Sequence, residues 1–108
     1  MTSRERRERK ALEWLSNQDA IEVRGESYVP VSHQEFHFLQ ENLDPQVFSL
    51  ADMSCSLASA GYRVFSIDGR LVVVDRCAGM GSRRVNVWKF QKRVTGELKM
   101  YDKPEGSV

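Results

Sequence analysis

The dipeptide Asp68-Gly69 lies between two runs of strand-forming residues, Tyr62–Ile67 and Arg70–Arg76. Both of its residues accept the positive φ angles that a two-residue type I′ turn requires. A loop of that length also fixes register, setting Phe65 opposite Val72 and Val64 opposite Val73, both favourable cross-strand pairs. Any fold of this chain must therefore hold an antiparallel hairpin here. Just before it, Ser49-Leu50-Ala51-Asp52 reads as a helix cap, with Leu50, Met53, Leu57 and Ala60 on one face and Gly61 suited to the left-handed position after the last turn. The sequence thus predicts a helix over residues 49–60 followed by a hairpin over 62–76.

The rest of the chain adds further elements on both sides. Thr2-Ser3-Arg4-Glu5 has the capping-box pattern, and Ala11, Leu12, Trp14 and Leu15 form an apolar patch late in a helix ending near Asn17. The stretch Arg4–Lys10 has no apolar residue, so its first turns face solvent or a partner. Ala20–Val23 and Ser27–Val31 suggest two strands joined by a turn around Arg24-Gly25-Glu26, and Pro30 predicts that the second is an edge strand or ends there. Ser32-His33-Gln34-Glu35 is a second capping box. Phe36, Leu39 and Leu43 follow it at helical spacing up to Asp44-Pro45, which closes the helix because a residue before proline avoids the helical region. Beyond the hairpin, Cys77–Ser82 reads as a glycine-containing loop, Arg84–Val94 as a strand, Glu97–Tyr101 as a return strand around Thr95-Gly96, and residues 102–108 as a tail.

With 108 residues, 41% hydrophobic and 29% charged, the chain has the size and composition of one globular domain. The domain expected is 1–101, of α+β class, with an N-terminal helix, a central helix pair and a C-terminal antiparallel hairpin or sheet. No apolar run approaches the roughly 18–20 residues that a membrane span needs, and the charged start Met1–Lys10 lacks the apolar core of a signal peptide. These features predict a cytoplasmic protein, in which Cys55 and Cys77 are free thiols and packing residues.

The net charge of +1 conceals a division along the chain. Residues 1–62 hold six Arg or Lys against ten Asp or Glu, whereas residues 63–108 hold ten against five. Between Val31 and Tyr62 there are four acids, Glu35, Glu41, Asp44 and Asp52, and no Arg or Lys. Between Arg70 and Arg93 there are seven basic residues and one acid, Asp75. Such a division can mark a face that binds polyanions.

The order helix, short strands, helix, helix, hairpin over residues 3–76 resembles that of winged helix-turn-helix domains. The resemblance implies Ser32–Leu43 and Ser49–Ala60 as the paired helices, the latter for recognition, with Tyr62–Arg76 as the wing. The sequence departs from the pattern in that its recognition helix has no Arg or Lys and places Asp52 near its start. The stronger signal for nucleic acid lies in the hairpin and beyond. Arg63, Arg70, Arg76, Arg83, Arg84, Lys89 and Lys92 supply cations for phosphates, and Trp88 and Phe90 supply faces for unpaired bases. The same residues equally suit a solvated basic sheet with its aromatics packed inward. The segment containing Arg4, Arg6, Arg7, Arg9 and Lys10 looks like the arginine-rich RNA-binding arms of lambdoid phage antiterminators, although Glu5, Glu8 and Glu13 also fit a salt-bridged surface helix.

The sequence gives little basis for catalysis. His33 and His37 lie four apart on one helix, with Cys55 and Cys77 as conceivable further zinc ligands, but Gln34 stands where a zincin has Glu. The loop Gly79-Met80-Gly81-Ser82-Arg83-Arg84 lacks the Gly-Lys-Ser/Thr of a P-loop, and no nucleophile context is legible. No cofactor is expected. The leading expectation is a small, non-catalytic, regulatory DNA- or RNA-binding protein. Its rival is a protein-interaction module, an adaptor or inhibitor of the kind carried by phages and mobile elements, whose acidic helical face beside a basic sheet suits self-association or docking to a host protein.

Overall fold

The computed structural model describes residues 2–75 and 83–101, with the side chains of 83–86 and 99–101 left out. Among the described residues four helices and five strands follow in the order α1 (Ser3–Ser16), β1 (Ile21–Val23), β2 (Glu26–Ser32), α2 (His33–Asn42), a 3₁₀ turn (Pro45–Val47), β3 (Phe48–Leu50), α3 (Ser56–Ser59), β4 (Val64–Ile67), β5 (Arg70–Asp75) and α4 (Arg83–Tyr101). The strands form one sheet in the order β1-β2-β5-β4-β3, in which β2 and β5 run parallel and every other pair is antiparallel. The α+β class read from the sequence is the class observed.

The central strands are buried on both faces, because side chains alternate across a strand and helices cover both sides. Val29, Val31, Ile67, Val72 and Val74 pack with Ala11 and Leu15 of α1 and with Phe36 and Leu39 of α2. On the other face Ile21, Val23, Tyr28, Val64 and Val73 pack with Leu57 of α3 and with Phe90, Val94 and Leu98 of α4. The result is three layers, α1 and α2 above the sheet and α3 and α4 below it.

The hairpin forms as the turn chemistry requires. Asp68 has φ 52° and Gly69 φ 77°, and Phe65 pairs with Val72 and Val64 with Val73. The β1–β2 hairpin uses the same device, with Arg24 at φ 51° and Gly25 at φ 82°. Pro30 neither ends β2, which runs on to Ser32, nor makes it an edge strand, since β2 lies between β1 and β5. It lies beyond Tyr28, the last residue of β2 opposite β1, so its missing N–H breaks no bond to that neighbour. The predicted capping box at Ser32 is seated, Ser32 and Glu35 capping each other's backbone, while at Thr2 the cap is one-way, its hydroxyl accepting from the Glu5 N–H.

Two elements differ from expectation. The helix over 49–60 contracts to the single turn α3. Ser49 is in β3, paired with Ser66, and Phe48 packs edge-on against Phe36 with ring centroids 5.8 Å apart. The Asp52 carboxylate accepts from the Ser54 N–H at 2.9 Å, forming a turn that separates strand from helix. The predicted helix end is correct: Tyr62 N–H donates to Leu57 C=O, Gly61 N–H donates to Ala58 C=O, and Gly61 has φ 95°, which is a Schellman closure. The recognition helix and helix pair implied by the winged-helix likeness are therefore not formed among the described residues. Second, the strands expected over 84–94 and 97–101 are one helix, α4, running through Thr95-Gly96. Val87, Phe90, Val94 and Leu98 fall at helical spacing, and burial of Phe90 and Val94 outweighs the β-branched content. The loop 77–82, Arg76, and the tail 102–108 lie outside the described residues.

Candidate nucleic-acid interface

The site builds from α4. Its inner face is fixed by packing and by polar contacts. Phe90 is fully buried and meets Tyr62 edge-on, with centroids 5.7 Å apart. The Arg93 guanidinium lies 4.9 Å from the Phe90 ring and donates to the buried Asp75 carboxylate at 2.6 Å. The Tyr62 hydroxyl donates to the Glu97 carboxylate. Burial, then that carboxylate, pushes the Tyr62 phenol up to about 12. Arg93 and Glu97, one cation and one anion of α4, are thus engaged on the sheet side.

The outer face differs in character. Lys89, Gln91, Lys92, Thr95 and Gly96 are exposed, and Trp88 is 54% exposed. The Lys92 ammonium sits 4.3 Å from the Trp88 ring centroid, a cation–π contact that orders both side chains. From Arg83 to Gly96 the helix contains no acid, and its first acid, Glu97, is held by Tyr62. Arg83 and Arg84 open the helix, where the macrodipole adds partial positive charge.

The basic residues proposed from the sequence divide into separate groups. Lys89 and Lys92 are on the outer face of α4, with Arg83 and Arg84 in its first turn. Arg63 is exposed and lines a pocket of about 190 Å³ together with Tyr62, Arg93 and Glu97, beside the same helix. Arg70 is elsewhere: its guanidinium reaches the Leu15 and Ser16 carbonyls, 3.5 Å from each, at the C-terminal end of α1. Arg4, Arg6 and Arg7 belong to α1, in the opposite helix layer, and Arg4 is engaged by Asp44 at 3.1 Å and Glu8 at 3.6 Å. With Arg9 also paired to Glu13, α1 has the character of a salt-bridged surface helix. Arg76 lies outside the described residues. Among the described residues no basic sheet face is shared, because the sheet is covered on both sides.

The acids of residues 31–62 are largely occupied in local structure. Glu35 completes a capping box, Asp44 caps the 3₁₀ turn, and Glu41 meets the exposed His37 at 2.9 Å. The hydrogen bond from the Ser54 N–H holds the Asp52 carboxyl below its usual range. His37 is thus at the surface, not packed. Among the described residues no group of three His, Cys, Asp or Glu gathers as metal ligands; Cys55 is buried, and Cys77 lies outside the described residues. Among them, too, no helix is long and apolar enough to cross a membrane.

No protein-family model matches the sequence, and neither a curated protein nor a solved structure matches it.

Proposed function

We propose that this is a small, cytoplasmic, non-catalytic nucleic-acid-binding protein of regulatory role, and that the outer face of α4 is its contact surface. The observation that carries the reading is an exposed indole paired with Lys92, with the exposed Lys89 on the same helix, over a stretch free of acids from Arg83 to Gly96. Lysines on such a face release counterions from phosphates, and the rigid seating of α4 through Phe90 and Arg93 holds them in fixed register. The test is fluorescence anisotropy with labelled oligonucleotides at low salt. The wild-type chain binds, and Lys89→Glu with Lys92→Glu abolishes binding while leaving the thermal melt unchanged. Binding that survives this double reversal refutes the assignment.

A separate observation favours a protein-docking reading. Strand β3 is a sheet edge; Leu50, its last residue, is 76% exposed and Met53, just beyond it, 71%. A strand edge offers backbone groups for strand addition, and Asp44 and Asp52 flank it, which suits an extended basic segment of a protein partner. Recovery of one stoichiometric protein from nuclease-treated lysate, lost in Leu50→Lys, supports this reading; loss of every partner on nuclease treatment supports the first.

A further inference from the structure

The two aromatics of α4 have opposite fates. Phe90 is fully buried against the sheet, whereas Trp88, two residues earlier, stands at 54% exposure on the outer face. Lys92 covers part of the indole from one side, its ammonium 4.3 Å from the ring centroid, and leaves the large apolar ring open to solvent. Gln91, Thr95 and Gly96 complete the exposed surface, and the Thr95 hydroxyl already donates to the Gln91 carbonyl at 2.8 Å. The face therefore offers a flat ring and cations.

Resting on the nucleic-acid reading above, we propose that the target is single-stranded nucleic acid, with Trp88 as the platform on which an unpaired base stacks and Lys89 and Lys92 neutralising the phosphates beside it. In a duplex the base faces are covered by one another, so an exposed indole meets only sugar, phosphate and groove edge and gains little. An unpaired base offers its whole π-face, and stacking on it is largely indifferent to sequence. The Lys92–Trp88 contact adds to this arrangement. Residues four apart on a helix are neighbours on its surface, so the ammonium is held over one face of the ring, leaving the other face for a base and a cation within reach of that nucleotide's phosphate. Because stacking carries little base identity, weak sequence preference is predicted.

The experiment uses the Trp14→Phe variant, in which Trp88 is the only tryptophan of a chain that has two. Its fluorescence and the anisotropy of labelled oligonucleotides of about 20 nucleotides are followed at low salt, with a single strand and with the duplex of the same sequence. The proposal expects the single strand to quench Trp88 and to bind about tenfold or more tighter than the duplex. In the otherwise wild-type chain, Trp88→Ala weakens single-strand binding about tenfold, whereas Trp88→Phe, which keeps a ring, retains most of it. Duplex binding as tight as single-strand binding, or single-strand affinity indifferent to Trp88→Ala, overturns the proposal while leaving the nucleic-acid reading intact. Absence of binding to either oligonucleotide overturns that reading and this inference with it. Because Trp88 is a surface residue, an unchanged thermal melt separates loss of contact from loss of fold.

Discussion

The ion pair between Arg93 and Asp75 joins the packing of Phe90, Val94 and Leu98 in tying the C-terminal helix to the sheet, and replacing Arg93 with Met isolates its contribution. The Asp75 carboxylate is 6% exposed and accepts from Arg93 at 2.6 Å, while the Arg93 side chain is 33% exposed. Methionine keeps an apolar stem to cover Phe90 but takes the Arg93 cation away from a buried carboxylate. Breaking such a pair by removing one partner destabilises by about 3–5 kcal/mol where both ions are fully buried. Because water reaches the guanidinium here, about 2–3 kcal/mol is expected, equivalent to a Tm lower by roughly 10 °C for a chain of this size. In an Asp75→Asn background no charge is stranded, and the same Arg93→Met change then costs about 1 kcal/mol or less. Thermal and urea melts followed by circular dichroism on the four proteins give the coupling directly. Equal losses in the two backgrounds, or a neutral Arg93→Met, refute the claim that a buried charge pair anchors α4.

Three further outcomes follow from particular residues. Gly96 is exposed within α4, and a Cβ built there meets nothing within 4 Å, so Gly96→Ala stabilises by about 0.5–1 kcal/mol, read as a higher Tm. Arg24 holds φ 51° in the β1–β2 turn, a conformation that asparagine adopts more readily, so Arg24→Asn raises stability by about 0.5 kcal/mol in a urea melt without changing its slope. The Tyr62 phenol is raised from 10.0 to about 12 in the folded chain, so its neutral form contributes stability that is complete below pH 10 and is lost as pH rises toward 12; Tyr62→Phe flattens that alkaline loss in melts between those limits.

What the sequence disclosed was local. Asp68-Gly69, the capping box at Ser32, the N-cap at Thr2 and Gly61 each act on their own neighbours, and each is found where it was read. Where distant residues decide, the local reading failed. The first turn of α3 is capped from β2: Glu26 accepts from both the Ser56 N–H and the Ser56 hydroxyl at 3.0 Å, and the Tyr28 hydroxyl accepts from the Leu57 N–H at 3.3 Å. Nothing near Ser49 reveals that a helix begins only at Ser56, because those caps lie 30 and 29 residues away. Burial among these groups pushes the Tyr28 phenol up, and the Ser56 N–H holds the Glu26 carboxyl down. Helix α4 was hidden by its valines and by Thr95-Gly96, although Val87, Phe90, Val94 and Leu98 carried its period. Misreading it as a strand placed Trp88 and Phe90 on one face, whereas the helix sends one to solvent and the other to the core. The basic groups of the candidate site were legible as residues; their division between opposite layers was not, since the order of strands is not written locally.

The central claim is that the lysines of α4, and not the arginines of α1, meet phosphate. The most direct test is the salt dependence of binding to a labelled single strand between 50 and 200 mM. Three or four phosphate contacts predict that the association constant falls roughly 20- to 50-fold over that interval. Lys89→Gln and Lys92→Gln each lower the log–log slope by about 0.7, and Arg7→Gln on α1 leaves it unchanged. A slope near zero, or one that responds to Arg7 and ignores Lys89 and Lys92, contradicts the account.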